Sequence, residues 1–287
     1  MQVYTLPDSA PAKVLLTGDL DFVMEFADLL SKRSVPFRIV PPMDELDELE
    51  LELDFLPDDL SEASIDAAAY APYADLVVSN ARSDAGSYSH IVDLGVASAL
   101  ERKATVEIAS SVNPRATVIV SCLSNTATEL GMLTGTATRI VGVGLAPSMI
   151  NTSTTIDLAG GLNTREEHVQ HAVSFLRTLG YEPTIVEDRL ALVQLRVLAT
   201  LINEAAFAVM EGVASPEDID AAMKLGVNYP KGLLAWADEI GIPIVTIILD
   251  SLYREYQQER YRPCVLLKQY MRAGWHGKAV GRGFYTY

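Results

Sequence analysis

The sequence predicts an α/β chain: a mostly parallel sheet with covering helices in the first two thirds, then an all-α last third. Two observations predict the sheet. Val14–Thr17 is a short apolar run ending at Gly18, followed by helical spacing through Phe22, Val23, Phe26, Leu29 and Leu30 and by a second extended run, Pro36–Val40. That strand–helix–strand order opens a nucleotide-binding fold. Further short apolar runs then recur as far as Pro183–Val186. A third observation predicts the helical part. From Leu190 to Met210 the chain is apolar almost all round, which reads as a helix buried at a centre or an interface. The boundary falls near Glu187–Arg189, giving domains 1–187 and 188–287.

In chain order, Leu49, Leu51, Leu53 and Phe55 alternate with Glu50, Glu52 and Asp54, the period of a strand with one face in water. Ala74–Ser79 reads as a strand, His90–Val112 as a helix, and Ala116–Ser121, Ile140–Val143 and Thr155–Leu158 as strands. Thr164–Leu179 reads as a helix capped by Thr164, with Glu166 and Glu167 in its first turn. Pro183–Val186 closes the sheet. In the last third, Gly212 suits the residue just past a helix end. Ser215, Pro216 and Asp218 form the start of the next helix, close to a capping box, and Gly226 ends it. Pro230 and Pro243 stand where a first helical turn tolerates them.

Composition narrows the function. Of the 287 residues, 49% are hydrophobic, enough for a sizeable core. A formal charge of −16 argues against nucleic acid and anionic membranes as partners. No apolar run reaches about 18 residues, so no membrane span is expected. Two cysteines, Cys122 and Cys264, without neighbouring metal ligands, suit a reducing cytoplasm. The charge is uneven. Asp44–Asp66 holds eleven acids and no Lys or Arg, which reads as a solvated face. From Ser251 onward there are seven basic residues, Arg254, Arg260, Arg262, Lys268, Arg272, Lys278 and Arg282, against Glu255 and Glu259. His168 and His171 lie on a polar helix face and read as a solvated pair, too few for a metal. His90 and His276 read as surface residues.

Several motifs cluster in the last third. They are Asn203-Glu204-Ala205, the run Glu211 to Asp220, Ala222-Met223-Lys224-Leu225-Gly226, Tyr229-Pro230-Lys231-Gly232, Ala237-Asp238-Glu239-Ile240-Gly241, and the ending Gly281-Arg282-Gly283-Phe284-Tyr285-Thr286-Tyr287. Together they resemble the C-terminal helical domain of the 3-hydroxyacyl-CoA dehydrogenase family. The resemblance implies a Rossmann-like N-terminal domain, dimerisation through the C-terminal helices, and NAD-dependent oxidation of a 3-hydroxyacyl-CoA.

The residues which that chemistry uses are mostly different here. The family's first turn reads Gly-x-Gly-x-x-Gly; this chain keeps Gly18 and places Leu20 and Val23 at the other two positions. Asp19 and Asp21 put negative charge beside a helix N-terminus that would otherwise take a phosphate. The acid that holds the ribose falls on Pro41, with Asp44 nearby. Val120 to Thr126 resembles the family strand that carries a substrate-contacting serine, which matches Ser124. The catalytic histidine should follow about twenty residues later, near Val143–Pro147, yet no histidine occurs between His90 and His168. The acid that orients it matches Asp157. The family's asparagine falls on Leu195, and the arginine beside it, Arg196, is expected in an ion pair.

The expectation is therefore a homodimeric, cytoplasmic family member that has lost hydride transfer and binds acyl-CoA or a partner. Ser124 and Asp157 are expected as remnants of the catalytic site and Gly18 as a remnant of the cofactor turn. No metal and no cofactor are expected. The alternative is an active NAD-dependent 3-hydroxyacyl-CoA dehydrogenase of the fatty-acid oxidation type, using NAD through an altered site. Ser124, Asn125, Asn151 and Asp157 are the polar candidates for an interdomain cleft.

Overall fold

A computed structural model describes residues 13–42, 67–78 and 87–287. The strands are β1 (Val14–Gly18), β2 (Phe37–Ile39), β3 (His90–Leu94), β4 (Thr117–Ser121), β5 (Ile140–Val143), β6 (Thr155–Gly160) and β7 (Glu182–Ile185). They form one sheet in the order β2-β1-β3-β4-β5-β6-β7. Every pairing is parallel except β5 with β6. Four helices cover it: α1 (Leu20–Lys32), α2 (Ala99–Ser111), α3 (Ala127–Leu133) and α4 (Glu166–Thr178). The central strands β3 and β4 are buried along their whole length, because helices lie on both sides. Alternate residues feed two apolar layers. Leu16, Val92 and Ile119 pack with α1 and α4, while Leu15, Ile91 and Val118 pack with α2 and α3.

Five helices follow: α5 (Gln194–Met210), α6 (Pro216–Gly226), α7 (Leu233–Ile240), α8 (Ile242–Tyr256) and α9 (Val265–Arg272). Leu195, Ala199, Ile202, Leu234, Ile248 and Leu252 continue the α1/α4 layer without a break, so the sheet and the helices share one apolar core. The motif residues of this region are structural ties. Asn203 accepts from Cys264 N and donates to Arg262 O. Asp220 accepts from Leu234 N and Ala235 N, both at 2.9 Å, and so caps α7. Asp238 accepts from Phe284 N and Tyr285 N, also at 2.9 Å, and holds the chain's last residues down. Gly283 has to be a glycine there, since a Cβ would lie 2.0 Å from Asp238 Oδ1.

Several elements differ from the sequence reading. His90–Val112 is a strand followed by a helix. Ile91, Val92 and Leu94 have the β-branched, apolar character of a central strand, and Ser98 with Glu101 starts α2 with a full capping box. Ala74–Leu76 is a 3-10 turn, and only Val77 bridges to Ile39. Helix α4 begins at Glu166, and Thr164 donates to Ile140 O at 2.5 Å instead of capping. Helix α5 begins at Gln194, because Ala191 and Leu192 adopt positive φ. It is not buried all round: Val197 is 54% exposed. Pro243 sits in the first turn of α8, but Pro230 lies in the loop before α7. Arg196 forms no ion pair among the described residues. It donates to Tyr261 Oη and Tyr256 Oη and lies over both rings. The alternating run at Leu49–Phe55 and the remainder of Asp44–Asp66 lie outside the described residues.

Two histidines read as solvated or surface groups are in fact interior. His90 stacks on Phe175 with ring centroids 4.3 Å apart, and His168 Nδ1 lies 2.8 Å from Thr117 Oγ1. Burial pushes both imidazoles down to about 4. They are neutral in the folded chain, while in the unfolded chain they take protons near pH 6.5. Stability is therefore full above pH 6.5 and falls as the pH drops from there towards 4. By pH 5 the loss reaches about 2 kcal/mol for His90. The carboxyls of Asp19, Glu25 and Asp238 are raised by desolvation and shift the balance the other way at lower pH, so the window to measure is 6.5 to 5. Urea unfolding across that window should show declining stability in the native chain and a flatter profile in His90→Gln. A native profile flat from pH 7.5 to 5 would contradict the assignment.

Candidate functional site

The strand order reverses between β1 and β3, which places a crevice at their carboxyl ends, the usual ligand position in such sheets. Gly18 ends β1 at φ +125°, and a Cβ there would lie 2.5 Å from the Leu94 carbonyl carbon. Only glycine permits this approach of the two strands. The next residue closes the crevice. Asp19 Oδ2 accepts from Val96 N at 2.6 Å, joining the loop after β1 to the loop after β3. Partial burial holds the Asp19 carboxyl above the usual carboxylate range, in opposition to this hydrogen bond. Leu20 opens α1 and Val23 is built into the core.

A dinucleotide's pyrophosphate needs open backbone N–H groups at the N-terminus of α1 and glycines that let it come close. Here a carboxylate spans that gap, Asp21 adds a second in the first turn of α1, and Leu20 carries a side chain at the point of close approach. These residues do not fit the pyrophosphate of NAD.

Beneath the crevice lies a buried ion pair that the sequence reading missed. Arg102 of α2 donates through Nε and Nη2 to Asp93 Oδ2 at 2.9 and 2.5 Å and through Nη1 to Ser121 O at 3.0 Å. Asp93 Oδ1 accepts from Gly95 N. The pair thus clamps the ends of β3 and β4. An aspartate, Asp93, inside the apolar run Ile91–Leu94 and an arginine near the start of α2 were the signals for it in the sequence.

Ser124 and Asn125 follow β4. Ser124 Oγ donates to Ala97 O at 2.8 Å, and Asn125 Nδ2 donates to Ala97 O at 2.9 Å and to Ser124 Oγ at 2.7 Å. Ser124 lines a cleft of about 710 Å³ between the sheet's loops and α8. Val96, Ser98 and Glu101 stand on the sheet side, and Ile247, Ser251 and Arg254 on the helical side.

Asp157 serves a different structure. Its Oδ2 accepts from Val193 N at 3.0 Å and Gln194 N at 2.6 Å, capping α5 from β6. Gly144 lies against it: a Cβ on Gly144 would be 3.3 Å from Asp157 Cβ and 3.6 Å from Leu192 Cδ1. An imidazole at this position would have to displace Leu192 or Asp157. Leu195, in the first turn of α5, is buried and offers no polar group. Asn151 lies away from the cleft, with Nδ2 donating to Glu25 Oε1 of α1 at 3.4 Å. Of the four polar candidates, Ser124 lines the cleft, Asn125 supports it, and Asn151 and Asp157 are committed elsewhere. Among the described residues, no three His, Cys, Asp or Glu side chains converge as metal ligands. Burial pushes the Cys122 thiol up to about 12, which leaves it unreactive.

Much of the basic tail is engaged internally. Lys268 pairs with Asp250, Lys278 with Glu239 and Arg262 with Glu259, while Arg282 lies over the Trp275 ring and Arg260 over Tyr261. Among the described residues, no helix is long and apolar enough to cross a membrane.

Residues 193–287 match the family profile of the 3-hydroxyacyl-CoA dehydrogenase C-terminal domain. A probable 3-hydroxybutyryl-CoA dehydrogenase of Bacillus subtilis is 39% identical over 160 residues, 56% of this chain and 55% of that protein. A 3-hydroxybutyryl-CoA dehydrogenase of Bradyrhizobium diazoefficiens is 34% identical over 188 residues, 66% and 64% of the two chains. The matches therefore span only 55% and 64% of these curated relatives' lengths. Among solved structures, an (S)-3-hydroxybutyryl-CoA dehydrogenase of Ralstonia eutropha superposes with a TM-score of 0.74 at 24% identity, covering 97% of this chain and 99% of that one. That likeness establishes the fold: a Rossmann-like sheet followed by the helical domain. The profile match over residues 193–287 and these relatives together make the chain similar to the 3-hydroxyacyl-CoA dehydrogenase family and support its membership there.

Proposed function

We propose that this chain keeps its family's acyl-CoA-binding architecture without NAD-dependent hydride transfer, and that an acyl-CoA thioester occupies the cleft between the sheet and α8. The observation that carries the reading is the hydrogen bond from Val96 N to Asp19 Oδ2 at 2.6 Å, set where a pyrophosphate would lie. The packing of Gly144 against Asp157 supports it, since no imidazole stands there to take a hydroxyl proton. General-base catalysis is worth a factor of about 10² to 10⁴. A polar group that stabilises developing oxyanion charge is worth about 3 kcal/mol, and Leu195 supplies none.

The relatives favour a second reading. The two described above are named as 3-hydroxybutyryl-CoA dehydrogenases, one of them as probable, and on kinship alone this chain would be an NAD-dependent 3-hydroxyacyl-CoA dehydrogenase of the fatty-acid oxidation type, working through an altered site. A spectrophotometric assay of acetoacetyl-CoA reduction with NADH and with NADPH separates the two. The first reading expects turnover well below about 1 per second, the low end of usual enzyme rates. Turnover at or above that value would establish the second.

We further propose a cytoplasmic homodimer joined through the C-terminal helices. On the helical part, Val197 is 54%, Val213 70% and Leu225 86% exposed, an apolar surface that a second copy would cover. Light scattering at micromolar concentration should give twice the monomer mass. A folded monomer at that concentration would overturn the assignment.

A further inference from the structure

Away from the cleft, a second cavity of about 440 Å³ opens between the end of α1, the loop before β6 and the turn joining α4 to β7. Leu29, Leu179 and Tyr181 form its buried floor. Lys32 and Arg33, at the end of α1, and Ser153 and Thr154, in the loop, stand on its walls. The side chains of these four are donors that meet no acceptor among the described residues. No acid lines the cavity among the described residues. The acids on the neighbouring elements are engaged: Glu25 accepts from Ser148 N at 2.6 Å, Asp28 accepts from Tyr73 Oη at 2.6 Å, and Glu182 pairs with Arg177 at 2.8 Å. A cation at the end of α1 suits the helix dipole, but the dipole does not account for where the Arg33 guanidinium lies. It rests on Gly180, whose φ is +97°; a Cβ there would stand 3.0 Å from Arg33 Cζ and closer still to Nη2. Only glycine lets the guanidinium lie on that turn, at the wall of the cavity.

We propose that this cavity binds a phosphate group, either free or as the monoester of a small molecule, with Arg33, Lys32 and Ser153 as its main donors. Two cations and two hydroxyls with no acceptor of their own match a dianion with three terminal oxygens. The guanidinium fork takes two of those oxygens in parallel, and the ammonium acts as a point charge on the remainder. A cavity of this size leaves room beside the phosphate for a small organic body. The chain's formal charge of −16 repels anions at long range. At about 0.15 M salt the Debye length is about 8 Å, so the cations on the wall decide the local balance. The cavity shares no lining residue with the cleft against α8, so this site stands apart from the thioester reading.

The test is calorimetric titration of the full chain, at about 0.15 M salt, with inorganic phosphate, glycerol 3-phosphate and malonate, a dicarboxylate of like charge. At least one phosphate should saturate a single site at or below about 1 mM, on the order of tenfold more tightly than malonate. Glycerol 3-phosphate binding more tightly than inorganic phosphate would assign the site to a monoester, and the reverse order to the free ion. Arg33→Gln and Lys32→Gln should each weaken phosphate binding about tenfold, and Ser153→Ala by a smaller factor. Lys103→Gln, on α2 and paired with Glu107 away from this cavity, should leave it unchanged. All three wall positions are free of side-chain ties among the described residues, so the variants should fold, with unfolding curves that match the native chain's. No saturable phosphate binding below about 10 mM would overturn the proposal. So would malonate binding as tightly as either phosphate, or phosphate binding that survives Arg33→Gln and Lys32→Gln together.

Discussion

Buried aspartates that accept two successive backbone N–H groups hold this chain together. Asp188 takes Ala127 N and Thr128 N, Asp157 takes Val193 N and Gln194 N, Asp220 takes Leu234 N and Ala235 N, and Asp238 takes Phe284 N and Tyr285 N. The first three meet a helix start, where backbone N–H groups have no partner within the helix. Each such cap is worth about 1 kcal/mol, and leaving the buried donors unpaired costs about 1–3 kcal/mol more. Against a usual total of about 5–15 kcal/mol, four such ties are a large share of what fixes α3, α5, α7 and the C-terminus relative to the sheet. They also account for an acidic chain that is nonetheless well packed: several of its acids are interior acceptors.

The same device reaches the functional end of the sheet. Asp157 occupies the position that the family resemblance gives to an acid serving a histidine, yet here its oxygen serves α5, and Gly144, in the Val143–Pro147 stretch where that histidine is missing, packs on it. Asp19 binds the loop after β3 through one backbone N–H and seals the crevice at the strand reversal. A carboxylate that satisfies a backbone N–H is stabilising where it stands, and where it stands in a ligand's place it excludes an anion. Stability and the proposed loss of dinucleotide binding thus come from one interaction. Beside the sealed crevice, the cleft against α8 keeps its serine and its apolar surface, which is why the reading moves from redox chemistry to thioester binding.

What the sequence made legible follows from range. The strand–helix–strand opening and the Ser215 cap are local patterns, and both appear in the structure. The helical domain carried motif spacing dense enough to identify its family. His90–Leu94 was misread because a five-residue run with only three apolar residues does not distinguish a central strand from a helix turn without its neighbours. His168 looked solvated on a polar helix face, but that face meets Thr117 across 51 residues of sequence. The aspartate ties were invisible for the same reason. Asp188 and its partners are 60 and 61 residues apart, and Asp157 and its partners 36 and 37. Of the candidate site, Gly18, Leu20 and the missing histidine could be read directly, whereas the Asp19 closure required the fold.

The account depends most on the crevice between β1 and β3 rejecting a dinucleotide because Asp19 and Leu20 fill it. Fluorescence titration of NADH into the native chain and into the double variant Asp19→Asn with Leu20→Gly tests this directly. The native chain should show no saturable binding below about 1 mM, and the double variant, with the charge and the side chain removed, should bind measurably more tightly. Micromolar NADH binding by the native chain would contradict the account.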